Sequence, residues 1–291
     1  MSWTLTLRGV TVGTGTAWPF IEAPALFGID SPRSNDALKP YGWGSTTHGP
    51  DLPSSRDISF SVWSNLLSES AALAALQTFQ GAYGQADETL ELTVSTPSQD
   101  FIVYGRPRRS IPNLENVGSG IIGVAVQFRA LDPRFYDATP TSTTVPLGAI
   151  SGGLAYPFAY PFAYGTASAG TATLNNLGNA PTSLKITIAP TSEAVTDPVV
   201  VNQTTGERVE FESLTISPGR SLEIDFAERT VTLIDPFTAG GSVDVSSTID
   251  RTVSTWWTGS GVLATGSSTV TTVAGGNNAS VSYLFRSAFQ L

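Results

Sequence analysis

The sequence has no cysteine, which removes disulfides, thiolate metal sites, iron–sulfur clusters and thiol nucleophiles together. One histidine, His48, leaves no imidazole cluster for a metal and only one place for a histidine-based triad. Lysine is reduced to Lys39 and Lys185, and charge of any sign is scarce, 13% of residues against roughly a quarter in an ordinary globular domain. The charge present leans acidic, 24 Asp and Glu against 15 Lys and Arg for a net of -9, so a phosphate-neutralising nucleic-acid surface is not expected. Divided at Val145, the two parts carry 9 - 13 = -4 and 6 - 11 = -5, so no basic half hides inside the average. No stretch approaches the length of apolar residues that a membrane span needs, and MSWTLTLRGV has neither the basic nor the apolar region of a secretory signal. The expectation is synthesis in the cytoplasm without membrane insertion.

Hydroxyls take the place of charge. Serine and threonine make up about a quarter of the chain, and 28 Gly and 19 Pro supply turn positions, an all-β composition. With 41% apolar residues and 10% aromatics the chain can bury a core, and its 291 residues suit two domains better than one.

Period-two alternation marks half-buried strands at Trp3-Leu5-Leu7, Ile58-Phe60-Val62, Leu90-Leu92-Val94, Ile102 to Tyr104 and Ile122-Val124-Val126-Phe128-Ala130. One helix interrupts them. After Ser68 as N-cap, ESAALAALQTFQGAY places Ala72, Leu76, Phe79 and Tyr83 on one face, and Gly81 or Gly84 ends it. Two stretches lack periodicity, an arm from Gly28 to Arg56 and a second excursion from Gly105 to Gly120. Alternation stops again after Phe128, where Pro, Thr and Gly accumulate, and AYPFAYPFAYG (Ala155 to Gly165) follows as one extended aromatic segment fixed by Pro157 and Pro161. Strands resume at Leu184-Ile186-Ile188, Val199-Val201, Val209-Phe211, Leu222-Ile224-Phe226, Val231-Leu233 and Val281-Tyr283-Phe285, with turn signals between them. Many short strands punctuated in this way indicate an antiparallel sandwich. The domain expectation is 1–137 with the arm at about 28–56, a linker at 138–165, and a second domain at 166–291.

The residue types that carry chemistry are few and poorly arranged. His48 has no G-x-S-x-G nucleophile elbow to serve and reads as an exposed loop histidine. Glu210 and Glu212, like Glu223 and Asp225, alternate with apolar residues as the solvent face of a hairpin does, which outweighs a glycosidase pair. Asp235, Asp244 and Asp250 lack calcium-loop spacing, and Gly13-Thr14-Gly15-Thr16 precedes no lysine and no helix, so it is a turn and not a phosphate loop. No metal or cofactor is expected. Trp256-Trp257 is the aromatic pair of interest: on a strand the two rings point to opposite faces, one into the core and one outward to stack on a sugar or anchor an interface, the alternative being that both are buried.

Taken in order, the WTL strand, DPRFYD at 132–137, GGLAYPFAYPFAYG at 152–165, LGNAPTSLKITI at 177–188, VVVNQTTGERVEFESLTISPGRSLEIDFAERTV, Trp256-Trp257 and SVSYLFRSAFQL at the end resemble the distal tail proteins of long-tailed phages, the minor tail proteins of this type in actinobacterial phages above all. The resemblance implies a mainly β, non-enzymatic virion protein. It implies two β-sandwich domains, the N-terminal one with a helix and assembling into a six-membered ring, the C-terminal one galectin-like. Partners implied are the tail-tube protein, a tail hub or tail-associated lysin trimer, and receptor-binding or other minor tail proteins, with DNA passing through the lumen unheld. Under that reading Tyr41, Trp43, His48 and Arg56 are candidate inter-subunit arm residues. Tyr156, Phe158, Tyr160, Phe162 and Tyr164 pack the linker. The competing reading is a carbohydrate-binding module that meets host glycan through Trp256 or Trp257.

Overall fold

A computed structural model describes residues 3–22, 24, 26, 37–38, 45–46, 54–147, 150–151, 166–167, 170–237, 241–258, 261–275 and 278–290. The chain is mainly β and separates into two compact units, Met1–Thr139 with Phe289–Leu291, and Pro140–Ala288.

The first unit is built from β1 (Thr4–Leu7), β2 (Val10–Gly13), β3 (Phe20–Glu22), β4 (Arg56–Asn65), α1 (Glu69–Tyr83), β5 (Leu90–Ser95), β6 (Asp100–Asn113), β7 (Ile121–Ala130) and β8 (Phe135–Asp137). Its main sheet runs β2-β1-β5-β6-β7-β4-β3, and β8 pairs with β6 off that path. β2 and β3 stand at opposite ends of the order, yet only residues 14–19 join them. Laid flat, seven strands would hold their outer members about 29 Å apart, beyond the roughly 24 Å that six linking residues span. The sheet therefore rolls until its ends meet. At the meeting point the Gly13 amide donates to the Trp18 carbonyl over 2.8 Å. Gly13, at φ +120°, has no room for a Cβ, which would strike the Trp3 carbonyl and the Phe20 ring.

Rolled in this way, the sheet packs against one face of α1, whose other face is exposed. Ser68 caps the helix by accepting from the Ala71 amide, and Gly84 closes it by donating to the Gln80 carbonyl. The stripe Ala72, Leu76, Phe79 and Tyr83 is buried among Leu5, Ile58, Phe60, Leu92, Val124 and Phe128. Each of the larger aliphatic and phenylalanine side chains contributes about 1.5–3 kcal/mol when fully removed from water. Trp18, Phe60, Phe79 and Tyr83 form a chain of ring contacts with centroids 4.7 to 5.8 Å apart. The Tyr83 hydroxyl lies 3.1 Å from the carbonyls of Leu5 and Val10, tying the helix end to the first hairpin. Burial raises its pKa above the ordinary tyrosine range. Phe289, far along the chain, returns to this unit edge-on to Phe101.

The second unit contains β9 (Thr141–Leu147), β10 (Gly170–Asn176), β11 (Thr182–Pro190), β12 (Val195–Asn202), β13 (Arg208–Glu210), β14 (Thr215–Ile216), β15 (Ser221–Asp225), β16 (Thr230–Ile234), β17 (Ser242–Asp244), α2 (Thr255–Thr258), β18 (Val262–Leu263), β19 (Gly266–Gly275) and β20 (Ala279–Phe285). One sheet runs β9-β20-β11-β15-β16-β17 with β18 beside β11, the other β10-β19-β12-β13 with β14 beside β12. Leu184, Ile186, Ile188, Leu222, Ile224, Val281 and Tyr283 project from the first sheet into a core shared with Ala172, Leu174, Val200 and Val270 of the second. The Tyr283 hydroxyl meets the Thr272 hydroxyl at 2.6 Å, a buried polar tie across the sandwich. Burial pushes that tyrosine up to about 12.

Three features depart from the expectations. Thr141–Leu147, inside the span expected as linker, is a strand paired along its whole length with β20. The excursion expected from Gly105 is instead the second half of β6, which continues past Pro107 and Pro112 to Asn113. Its register with β7 shifts between Pro107 and Arg109, and a bulge of this kind is where a strand tolerates proline. In β12 it is Val200 that is fully buried, between half-buried Val199 and Val201. Three consecutive valines carry no phase of their own.

Candidate interaction surfaces

Trp256 and Trp257 are not divided between core and solvent. They sit on the helical turn α2, where successive side chains are about 100° apart instead of the 180° of a strand, so both rings enter the core. Trp256 is fully buried, its indole N–H donating to the Val262 carbonyl over 3.3 Å, and Phe226 lies against both rings with centroids at 4.7 and 5.9 Å. Trp257 is 8% exposed and shows an edge to an open depression lined by Arg229, Ser246 and Arg251. Its carbonyl accepts from the Arg229 guanidinium. Neither indole presents a free face for stacking on a sugar, which corrects the outward-tryptophan expectation.

Arg56 is likewise not an arm residue reaching to a neighbour. It is 4% exposed, donates to the Leu26 carbonyl over 3.1 Å and sits 5.1 Å from the centre of the Phe135 ring, within its own unit. Tyr41, Trp43 and His48, and the linker aromatics Tyr156, Phe158, Tyr160, Phe162 and Tyr164, lie outside the described residues.

The hairpin carboxylates form surface ion pairs. Lys185 lies 2.7 Å from Glu223 and 4.0 Å from Asp225, and Arg208 pairs with Glu210 at 3.0 Å. In the DPRFYD segment, Asp132 accepts from the Arg134 side chain, the Arg134 amide and the Tyr136 hydroxyl, the last at 2.7 Å. Burial alone would raise the Asp132 carboxyl, but hydrogen bonds from Arg134 and Tyr136 together outweigh it and hold the group below the usual carboxylate range. The segment is a structural clasp at the end of the first unit.

The surface that sequence reasoning missed is the outward face of β4, β7 and β6. Register places Trp63, Gly123 and Asn113 in one row, then Ser61, Ala125 and Ile111, then Ser59, Gln127 and Arg109, then Asp57, Arg129 and Arg106. Ser59, Ser61 and Ala125 make a shallow centre, an open depression of about 390 Å³ whose walls include Glu22, Arg109, Ile111 and Gln127. Trp63 is 40% exposed and Ile111 42%, and Ile21 on the adjoining β3 is 58% exposed. The Asp57 carboxylate takes two 2.7 Å bonds from Arg129 and one of 3.2 Å from Gln127. The Arg129 hydrogen bonds lower its pKa. The signal was present in the sequence: with Ile58, Phe60 and Val62 inward, Trp63 must point out.

Comparison with known proteins gives this surface a setting. Residues 177–287 match the family of siphovirus-type tail components, C-terminal domain. The fold matches the crystal structure of the Dit protein (gp 19.1) of phage SPP1, described as a paradigm of the hub adsorption apparatus in phages infecting Gram-positive hosts. That match has a TM-score of 0.63 and 12% identity, over 97% of this chain and 98% of that one. It also matches chains of the phage p2 baseplate in its activated conformation, solved with strontium and with calcium, each with a TM-score of 0.57 and 10% identity over 98% of this chain and 97% of the other. No curated protein sequence matches. The family match over residues 177–287 and the fold likeness over the full length together bear out the resemblance read from the sequence: the chain carries a siphovirus-type tail component C-terminal domain and has the fold of the SPP1 Dit protein.

Proposed function

We propose that the chain is a non-enzymatic structural subunit of a long-tailed phage tail tip, in which six copies close into a ring between the tail tube and the hub. The observation that carries this reading is the fold likeness over 97% of the chain to the SPP1 Dit protein, a hub adsorption component. The physical features fit the role. A ring subunit needs heterologous contacts that close on rotation, and a face with exposed Trp63, Ile21 and Ile111 is unusual for a unit meant to stand alone in water. One face of the ring meets the tail-tube protein, the other a tail hub or tail-associated lysin trimer. The second unit, outside the ring, holds receptor-binding or other minor tail proteins. The net charge of -9 suits a lumen through which DNA slides without being held. The unit Met1–Thr139 with Phe289–Leu291 acts as ring domain and the unit Pro140–Ala288 as outer domain. The glycan-binding alternative has lost its stacking platform, since both indoles of the tryptophan pair are buried.

Native mass spectrometry of the full chain, with electron microscopy of virions labelled against it, tests the proposal. Hexamers and label at the tail tip are expected. Persistent monomer together with absence from tail tips overturns it.

A further inference from the structure

The sheet face that carries Trp63 and Ile111 also gathers arginines. The register shift in β6 makes Arg108 the extra residue of a bulge, and Arg106 and Arg109 stand opposite Arg129 and Gln127. Asp57 and Glu22 are the carboxylates at this surface. The balance among these groups is 4 - 2 = +2, on a chain whose total is -9. Arg108 and Arg109 are exposed and form no ion pair among the described residues. The Arg106 Nε is buried without a hydrogen-bond partner among them. Like charges placed opposite each other across strands destabilise a sheet, and an unmatched buried donor adds to that cost. The repulsion among the arginines is relieved when an external carboxylate surface arrives.

We propose that this face is the positive half of a head-to-tail contact between copies of this chain, and that its complement on the next copy is the acidic stretch from Asp87 to Glu91. The inference rests on the ring reading and adds the surfaces that meet. A contact that closes a ring presents two different surfaces of one chain to each other, so the chain must carry both halves. Asp87 and Glu91 are exposed and form no ion pair among the described residues, while Glu88 between them is occupied by Arg8. The shallow centre at Ser59, Ser61 and Ala125 admits a neighbouring backbone closely, and Trp63 and Ile111 supply the apolar rim that a charge pair needs for shielding from water.

The test is a charge swap on the full chain, read by native mass spectrometry and light scattering, with circular dichroism to verify folding. R108E/R109E and D87K/E91K are each expected to lose the ring, weakening association at least tenfold. R108K/R109K keeps it. Mixing the two reversed variants restores rings of alternating composition, because each altered face then meets its altered complement. Rings of R108E/R109E with wild-type affinity overturn the proposal while leaving the ring reading intact. So does a mixture that stays monomeric, or a variant that forms rings yet strips another tail protein from assembled tails. A wild-type chain that never assembles and is absent from tails removes the ring reading itself.

Discussion

The two units bury comparable cores but finish their surfaces differently. On the second unit, the outer row Ser142, Leu284, Lys185, Asp225, Thr230 and the next row Thr144, Ser282, Thr187, Glu223, Thr232 are mostly hydroxyls with the Lys185–Glu223 pair among them. Of the exposed apolar residues there, Leu177, Phe237 and Val243 sit singly on turns or on the edge strand β17, Val273 lies beside half-buried Val199, and Leu284, 40% exposed, stands alone in the outer row between Ser142 and Lys185. The face of β4, β7 and β6 in the first unit instead combines Trp63, Ile21 and Ile111 with four arginines. A sandwich can thus be complete inside and still incomplete outside. The difference teaches that the second unit's tryptophan pair serves its stability, while the first unit's outward tryptophan is surplus to its own fold.

The strongest way to break this comparison is to remove Trp256. Truncation of a fully buried indole packed on Phe226 leaves a cavity, and Trp256→Ala is expected to cost about 3–5 kcal/mol. Urea unfolding followed by circular dichroism measures it. A loss below about 1 kcal/mol would show that the pair is not a core element and return it to the surface chemistry first expected of it.

How much of this was legible in the sequence depends on phase. Ile122-Val124-Val126-Phe128-Ala130 alternates with residues that stay partly or wholly exposed, so β7 and its inward face are readable directly. The helix was equally plain, because Ser68 and the Ala72-Leu76-Phe79-Tyr83 stripe agree with each other. β10 and β19 were overlooked because GTATLNN and GSSTVTTVAG place only small or isolated apolar residues inward, Ala172, Leu174 and Val270, with polar Asn176, Ser268 and Thr272 at other buried positions. RPRRSIPN hid a strand behind prolines that a bulge accommodates. The tryptophan pair was mis-phased because a four-residue helix has too few residues to show its period. The arginine face is assembled by register from three strands that are distant in sequence, which no local pattern reveals.

A smaller effect sharpens the comparison from inside the cores. Tyr283→Phe leaves the buried Thr272 hydroxyl without its partner and is expected to cost about 1–2 kcal/mol. Adding Thr272→Val removes the orphan and should recover most of the loss, a non-additivity that a double-mutant cycle reads directly. Tyr83→Phe in the first unit removes bonds to two backbone carbonyls and should cost a similar amount, with no side-chain substitution able to rescue it. Rescue at position 283 with none at 83 is the expected contrast.

The clasp at Asp132 adds a pH dependence to the first unit. Its carboxyl is held below the ordinary carboxylate value, so the stability it contributes is present above the unfolded pKa of about 3.9 and is lost as pH falls through the folded value. Asp132→Asn is expected to cost about 1 kcal/mol at pH 7 through the weakened bonds to Arg134 and Tyr136. The difference from wild type should shrink as pH is lowered below about 4. Thermal melts across that window measure it, and a gap that widens in acid would reverse the assigned sign.

Trp63 should have the smallest effect on stability, and that smallness is the point. Its ring is 40% exposed and faces Gly123 across the strand pair, so Trp63→Ser removes little buried area and should change unfolding free energy by less than about 0.5 kcal/mol. If the outer face is built for a neighbour, the same substitution weakens self-association far more than it weakens folding, because an exposed aromatic on an interface rim loses its contact only when the partner is present. Sedimentation equilibrium and urea unfolding on the same preparation separate the two quantities. A stability loss approaching that of Trp256→Ala would place Trp63 among the residues that hold the first unit together. The contrast between a finished and an unfinished surface would then fail at the residue that defines it.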